Sequence, residues 1–279
     1  MKQNKFWIEP IAGLGNRMQV LASAYYLAHK HQKQLSVLWN NNEDLGADFK
    51  DIFKRIPEVE IVPVTTDGYR KKPLLRWRSE RLRKKLSNNC DYVTDVDKWG
   101  KRSTQELLEM IEQGVENADT VYIKSWKNFC PVYDTEEVRV DFLQPSENVC
   151  KRGQNLFDRI NRHTIGVHIR RTDHEMAIAG SPLEAFVCEM KRRVEEDAEC
   201  NFYVATDDAE VEQYIKAQFG ERVFFYEGKN WKRNDRDGIL DACVEMWALS
   251  MCSMILGSMW STFSLMAAKI GGKELLIMR

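Results

Sequence analysis

Residues 164–173 read TIGVHIRRTD. A run of β-branched and apolar residues closes on His168, Arg170, Arg171 and Asp173, the pattern of a short buried strand with a charged carboxyl end. Two adjacent guanidinium groups repel each other, so the placement asks for an anion or a carboxylate close by. On an extended backbone His168 and Arg170 share one face while Arg171 turns to the other, which allows the two arginines different jobs. Arg170 suits a bidentate grip on a phosphate, and Arg171 suits an internal pair with a carboxylate such as Asp173. The alternative is a solvated loop with a local ion pair, the commoner fate of such a cluster.

The pattern around this run sets the fold class. Further strands are expected at NFYVATD, RVFFYE, MILGS and ELLIM. Between them lie the helical patterns PLEAFVCEMKRRVEED, DAEVEQYIKAQFG, GILDACVEMWALSM and STFSLMAAKIGG, the last closed by a glycine pair suited to a C-cap. Strands alternating with helices predict a parallel, doubly wound sheet. The N-terminal half opens with FWIEPIA, a helix from about Asn16 to Lys30, then LSVLW, VEIVPV and TVYIKSW, a second and less regular α/β unit. The polar stretch LQPSENVCKRG places the boundary so that residues 1–150 and 151–279 form the two domains.

Composition excludes several classes. The 279 residues carry a formal net charge of -1, so nothing in the bulk charge draws the chain to nucleic acid. Seven cysteines, an odd number with no CxxC spacing, predict reduced thiols rather than a disulfide framework or a zinc site. The N-terminus lacks the apolar core of a signal peptide, and a cytoplasmic location is expected. Residues 246–268 contain no charge, but five serines, a threonine and Gly257 break the segment into a helix ending near Met251, a buried strand and a new helix near Ser261.

Four places carry candidate chemistry. The first is HIRRTD, at the ligand-binding edge of a parallel sheet. In GSMWSTFS, a short strand runs into Ser261, Thr262 and Ser264 at a helix start, where hydroxyls and unpaired N–H groups face an anion; an ordinary N-cap is the alternative. In AGLGNRMQ, Gly13 and Gly15 permit close approach of backbone to ligand, and Asn16 or Arg17 can reach outward. This is not a full dinucleotide fingerprint, because Met18 stands at the third glycine position. In YVATDD, Asp207 and Asp208 end a strand and can accept from a base or ribose, or simply cap the next helix.

Taken in this order and at these separations, GLGNRMQVLASAYYLAHKHQKQL, HIRRTD, YVATDD and STFSLMAA resemble the fucosyltransferase superfamily, which includes bacterial α1,2-fucosyltransferases, α1,6-fucosyltransferases and protein O-fucosyltransferases. The resemblance implies a GT-B-like architecture of two Rossmann-like domains facing a central cleft, the first on the acceptor side and the second binding the nucleotide sugar. It implies a GDP-fucose donor, a glycan or lipid-linked oligosaccharide acceptor, inversion at the anomeric carbon, and neither metal nor cofactor. Carried over residue by residue, Arg170 contacts the donor β-phosphate, and His168 with Asp207 or Asp208 faces the guanine. Ser261, Thr262 and Phe263 line the pyrophosphate, with Gly13, Gly15, Arg17 and Arg171 among the donor contacts. Asn16 faces the reacting sugar, and Asp173 and Glu175 are the candidates for the catalytic carboxylate. Two other classes stay open. A different nucleotide-dependent group transferase would need a lysine-bearing phosphate loop that the sequence lacks. A catalytically silent GDP-sugar-binding protein would keep the cleft without the base.

Residues 69–86 hold nine basic residues against one acidic. Leu75, Leu82 and Leu86 with Trp77 are expected to form an apolar stripe under a basic helix face, suited to an anionic membrane surface or an acidic glycan or, more simply, to a solvated helix over the first domain.

Overall fold

The computed structural model describes residues 4–66, 73–172 and 175–279. The chain divides into two compact units, one formed by residues 1–146 with Lys232–Ile239, the other by Glu147–Trp231 with Leu240–Arg279.

In the first unit β1 (Lys5–Pro10), α1 (Leu14–Lys30), β2 (Gln34–Asn40), α2 (Phe49–Ile52), β3 (Glu60–Val64), α3 (Pro73–Asn89), β4 (Tyr92–Asp95), α4 (Thr104–Asn117) and β5 (Thr120–Ser125) follow in order. The five strands form a sheet of order β3-β2-β1-β5-β4, and its strand pairs are all parallel. Proline at the first position of α3 costs no hydrogen bond there, since that N–H has no helical partner. Ser103 and Glu106 close a reciprocal capping box on α4. Leu38, Val64, Leu86 and Tyr122 pack together on one face of the sheet, with Trp7, Val62, Leu82 and Val93 against them, so α3 covers that face.

The second unit runs α5 (Glu147–Phe157), β6 (Thr164–Ile169), α6 (Glu175–Gly180), α7 (Leu183–Glu196), β7 (Asn201–Thr206), α8 (Ala209–Phe219), β8 (Val223–Phe224), α9 (Arg236–Met251), β9 (Ile255–Gly257), α10 (Thr262–Gly271) and β10 (Leu275–Ile277). The first turn of α9 groups with the first unit. The strand order is β10-β9-β6-β7-β8, again parallel throughout. Counted within the unit this is the doubly wound 3-2-1-4-5 arrangement, whose direction of winding reverses between β6 and β9. Every residue of β6 is buried, as expected of a central strand covered on both faces. Ile165, Val167 and Ile169 meet Phe186 and Met190 of α7 and Val211 and Ile215 of α8 in one core.

The charge-free stretch 246–268 resolves into the end of α9, β9 and the start of α10, and among the described residues no helix is long and apolar enough to cross a membrane. All seven cysteines are free. The short edge strand β4 and helices α2, α4, α5 and α6 were not foreseen, and α5 begins inside the stretch LQPSENVCKRG read as the polar domain boundary. Leu75, Leu82 and Leu86 turn inward on α3, but Trp77 does not join them: it is 54% exposed, because an offset of two residues carries it about 200° round the helix.

Candidate functional site

The carboxyl edge of the second sheet is built at the point where its winding reverses. Strand β6 ends at Ile169, beside Thr206 of β7, while His168 pairs with Gly257 of β9. Side chains that follow these three strand ends therefore converge. Ser258, fully buried, fixes the first contact: its Oγ accepts from the Arg170 backbone N–H at 3.0 Å and donates to the His168 carbonyl at 3.2 Å. This hydroxyl ties the end of β6 to the end of β9 and sets where Arg170, half-buried, leaves the sheet.

His168 lies under that edge. Its ring stacks on Phe263 with centroids 4.9 Å apart, and Nδ1 lies 3.4 Å from Ser261 Oγ. Burial pushes the imidazole down to about 4, and the neighbouring Arg170 and Lys229 press the same way against Asp207. His168 is accordingly neutral at physiological pH, a fixed hydrogen-bonding ring rather than a second cation beside Arg170.

Ser261 occupies the N-cap position of α10, yet its side chain makes no capping hydrogen bond and turns to His168 instead. The ordinary-cap reading of this serine is thereby set aside. The first N–H groups of a ten-residue helix keep their need for an acceptor at the same edge as Arg170, with the helix dipole adding to the attraction for an anion. Thr262 and Phe263 are the first two residues of that helix. Trp260, just before them, holds a left-handed backbone at φ 59 and is 64% exposed.

The other predicted residues have structural partners. Arg171 Nη1 donates to its neighbour's carbonyl on Arg170 and Nη2 to the Ser181 carbonyl at 3.0 Å, so it braces the segment leading to α7. The carboxylate expected to pair with it, Asp173, lies outside the described residues. Asp207 accepts from the Arg171 N–H at 2.7 Å and from Thr172 Oγ1 at 2.7 Å, latching β7 to the turn after β6. Asp208 caps α8 through the Glu210 N–H. Both carboxylates thus hold structural hydrogen bonds at this edge. Glu175 opens α6 and is exposed.

Three residues of this edge escaped the sequence reading. Ser258 is one. Ser181, also fully buried, donates to the Met278 carbonyl at 2.6 Å and accepts from the Met259 N–H at 2.8 Å. Lys229 donates to the Thr206 carbonyl at 2.9 Å and pairs with Glu245 and Glu212, each at 2.8 Å. Burial by itself would depress its ammonium, but the two carboxylates outweigh burial and raise it; burial pushes Glu245 up to about 7. A serine in GSM and a lysine in EGKN carry no spacing that marks them out.

In the first unit the turn between β1 and α1 also sits where that sheet's order reverses, between β1 and β5. Gly13 is the N-cap of α1 without a side-chain cap, and a Cβ added there would meet nothing within 4 Å, so packing does not demand glycine. Gly15 is buried in the first turn of α1, and Asn16 is half-buried, its Oδ1 accepting from Gln19 at 3.4 Å. Arg17 departs from expectation. It is fully buried: Nε donates to the Ala12 carbonyl at 2.7 Å, Nη1 to the Asn40 carbonyl and Nη2 to Asn42 Oδ1 at 2.8 Å, and its guanidinium lies 5.0 Å from the Trp39 ring. Arg17 holds the left-handed turn at Ala12, φ 66, rather than reaching for a ligand. Burial lowers it to about 10, still charged at neutral pH.

Among the described residues no group of three or more His, Cys, Asp or Glu side chains could hold a metal ion. No protein-family model matches the chain, and no curated protein sequence matches it. Solved structures do. The chain is similar to NodZ α-1,6-fucosyltransferase co-crystallised with GDP, at 19% identity over 95% of this chain and 91% of that one, TM-score 0.62; a NodZ structure comes from Bradyrhizobium. It is similar to Arabidopsis thaliana FUT1 in complex with GDP at 16% identity, over 98% of this chain and 70% of that one, TM-score 0.61. It is similar to POFUT1 in complex with GDP-fucose at 11% identity, over 100% and 99% of the two chains, TM-score 0.56. The likeness establishes the fold class, GT-B-like with two Rossmann-like units.

Proposed function

We propose that the chain is an inverting, metal-independent glycosyltransferase that moves fucose from GDP-fucose to a hydroxyl of a glycan or lipid-linked oligosaccharide. One observation carries the reading: Arg170, neutral His168 and the uncapped start of α10 converge where the second sheet reverses its winding. The similar structures that were solved with GDP or GDP-fucose support the choice of nucleotide.

In this mechanism the acceptor oxygen attacks the anomeric carbon of the sugar from the side opposite the nucleotide. The bond from that carbon to the β-phosphate oxygen breaks, and GDP leaves with the electron pair. Negative charge grows on the leaving oxygen while the sugar becomes oxocarbenium-like. Arg170 is assigned to that oxygen, and the N–H groups at Thr262 and Phe263 to the pyrophosphate, a charge stabilisation that needs no metal. His168 is assigned to the guanine, its ring oriented by the stack on Phe263 and the contact with Ser261. Asn16 with the Gly13 turn is assigned to the transferred sugar, and Asp173 or Glu175 takes the proton of the attacking hydroxyl. The first unit then serves the acceptor and the second the donor.

The test is release of GDP from GDP-fucose, followed against a panel of glycan acceptors. Arg170→Ala is expected to lower turnover by about 10²–10³-fold, the usual cost of one charge-stabilising donor. Unchanged turnover in Arg170→Ala would sink the assignment. Stabilisation of the chain by GDP in a thermal shift, with no turnover of any donor, would make it a silent nucleotide-sugar binder.

A further inference from the structure

Helix α3 has two unlike faces. Ser79 and Leu86 are buried, Leu82 packs with Leu86 against β2, β3 and β5, and the partly buried Arg83 makes a bidentate pair with the fully buried Glu9. These residues recur at three- and four-residue steps and form the inward stripe. On the opposite side the same steps line up Leu74, Trp77, Arg78, Arg81, Lys84 and Lys85, all exposed.

That outer stripe breaks two habits of a solvated helix. Leu74 is 60% and Trp77 54% exposed, at one end of the helix, where the fold asks nothing of either. Four cations stand on the stripe. Among the described residues of the helix the one carboxylate, Glu80, borders the stripe, three residues after Trp77 and four before Lys84, and pairs with Arg76 at 2.9 Å. The chain as a whole is charged -1, so this surplus is local and not a bulk bias. The Arg81 guanidinium lies over the Trp77 ring, 5.4 Å from its centroid, joining the apolar and cationic parts of the stripe.

We propose that this face of α3 is a docking surface for an anionic lipid bilayer. Leu74 and Trp77 enter the headgroup layer, and Arg78, Arg81, Lys84 and Lys85 lie against the lipid phosphates. A helix with cations and a tryptophan on one exposed side, lying flat, is the form that surface-bound helices take. The charge selects an anionic partner. The apolar pair selects a bilayer over a soluble polyanion, which has nothing to receive Leu74 and Trp77. A second copy of the same stripe is disfavoured by like charge. The proposal stands apart from the donor reading, because none of these residues belongs to the site at the second sheet.

Flotation of the full chain with phosphatidylcholine vesicles, with and without phosphatidylglycerol, tests it. The chain is expected to float only with the anionic vesicles and to be released by salt. Removing each cation, as in Arg78→Gln or Lys85→Gln, lowers the partition coefficient by about five-fold, the equivalent of about 1 kcal/mol. The pair Leu74→Ser with Trp77→Ser leaves the charge unchanged and lowers it by at least about ten-fold, and these side chains are exposed enough for the melting temperature to hold. No flotation with anionic vesicles at low salt overturns the proposal. So does a serine pair that floats like the parent while heparin displaces both, since the stripe is then a soluble-polyanion site.

Discussion

The neutrality of His168 can be tested through stability. The imidazole sits at about 4 in the folded chain against an ordinary value of 6.5, and burial is the main cause. A group depressed on folding leaves stability whole above its unfolded value, here 6.5, and withdraws it as pH falls toward the folded value. At about pH 5 the unfolded imidazole is almost fully protonated while the folded one is not, which costs about 2 kcal/mol relative to about pH 7.5. The loss approaches about 3 kcal/mol when the pH nears the folded value. Urea unfolding of the parent and of His168→Gln at both pH values isolates the term, because the remaining titrating groups are common to the two chains. The parent is expected to lose about 2 kcal/mol more than His168→Gln on acidification. Parallel losses, or an NMR titration of the His168 ring with its midpoint near 6.5, would refute the reasoning and return His168 to the role of a cation beside Arg170. The same neutrality predicts that donor affinity owes no pH dependence to His168 across the neutral range.

Arg17→Leu keeps an apolar stem but leaves the Ala12 and Asn40 carbonyls buried without their donor, and is expected to destabilise the first unit by about 3 kcal/mol in denaturant unfolding. A fully stable Arg17→Leu that loses donor binding would put Arg17 back in the site. Lys229→Met leaves Glu245 and Glu212 facing each other around an apolar side chain, and is expected to cost about 3 kcal/mol at neutral pH. Lys229 holds Glu245 down, so without it Glu245 keeps its proton to a pH above the present value of about 7 and the loss grows as the pH rises past neutral; an equal loss at neutral and alkaline pH contradicts the pairing.

The strands of the second unit were legible because each is a contiguous apolar run bounded by polar residues, and helices α7 to α10 because each carries a three-to-four periodicity; α5 was not, because its polar residues read as a linker. Strand β4 was not: YVTD is four residues at a sheet edge, too short and too polar to stand out. The direction of Trp77 was legible and misread, since the two-residue step from Leu75 already sends it to the other side. Arg17 was not legible. Its partners are backbone carbonyls at Ala12 and Asn40, which folding brings together and no residue type advertises. Ser261 was half legible. A serine before a helix announces a cap, and only the placement of His168 beside it shows that the hydroxyl is turned elsewhere.

Strain falls where the two sheets reverse their winding. Three non-glycine residues among those described have positive φ: Ala12, Gln32 and Trp260. Gln32 follows the end of α1, where a left-handed residue is the routine way to finish a helix. Ala12 and Trp260 precede the two helices, α1 and α10, that start at the switch points, and such a conformation costs about 1–3 kcal/mol in a residue with a side chain. Each is held by bonds close by: Arg17 to the Ala12 carbonyl on one side, and Ser181 to the Met259 N–H on the other. Both are buried groups that also tie the turn to a second segment, Arg17 to the Asn40 carbonyl and Ser181 to the Met278 carbonyl. Their presence at both places argues that the strained geometry is what these sites keep, and that Arg17 and Ser181 act by holding the backbone which presents the two helix starts.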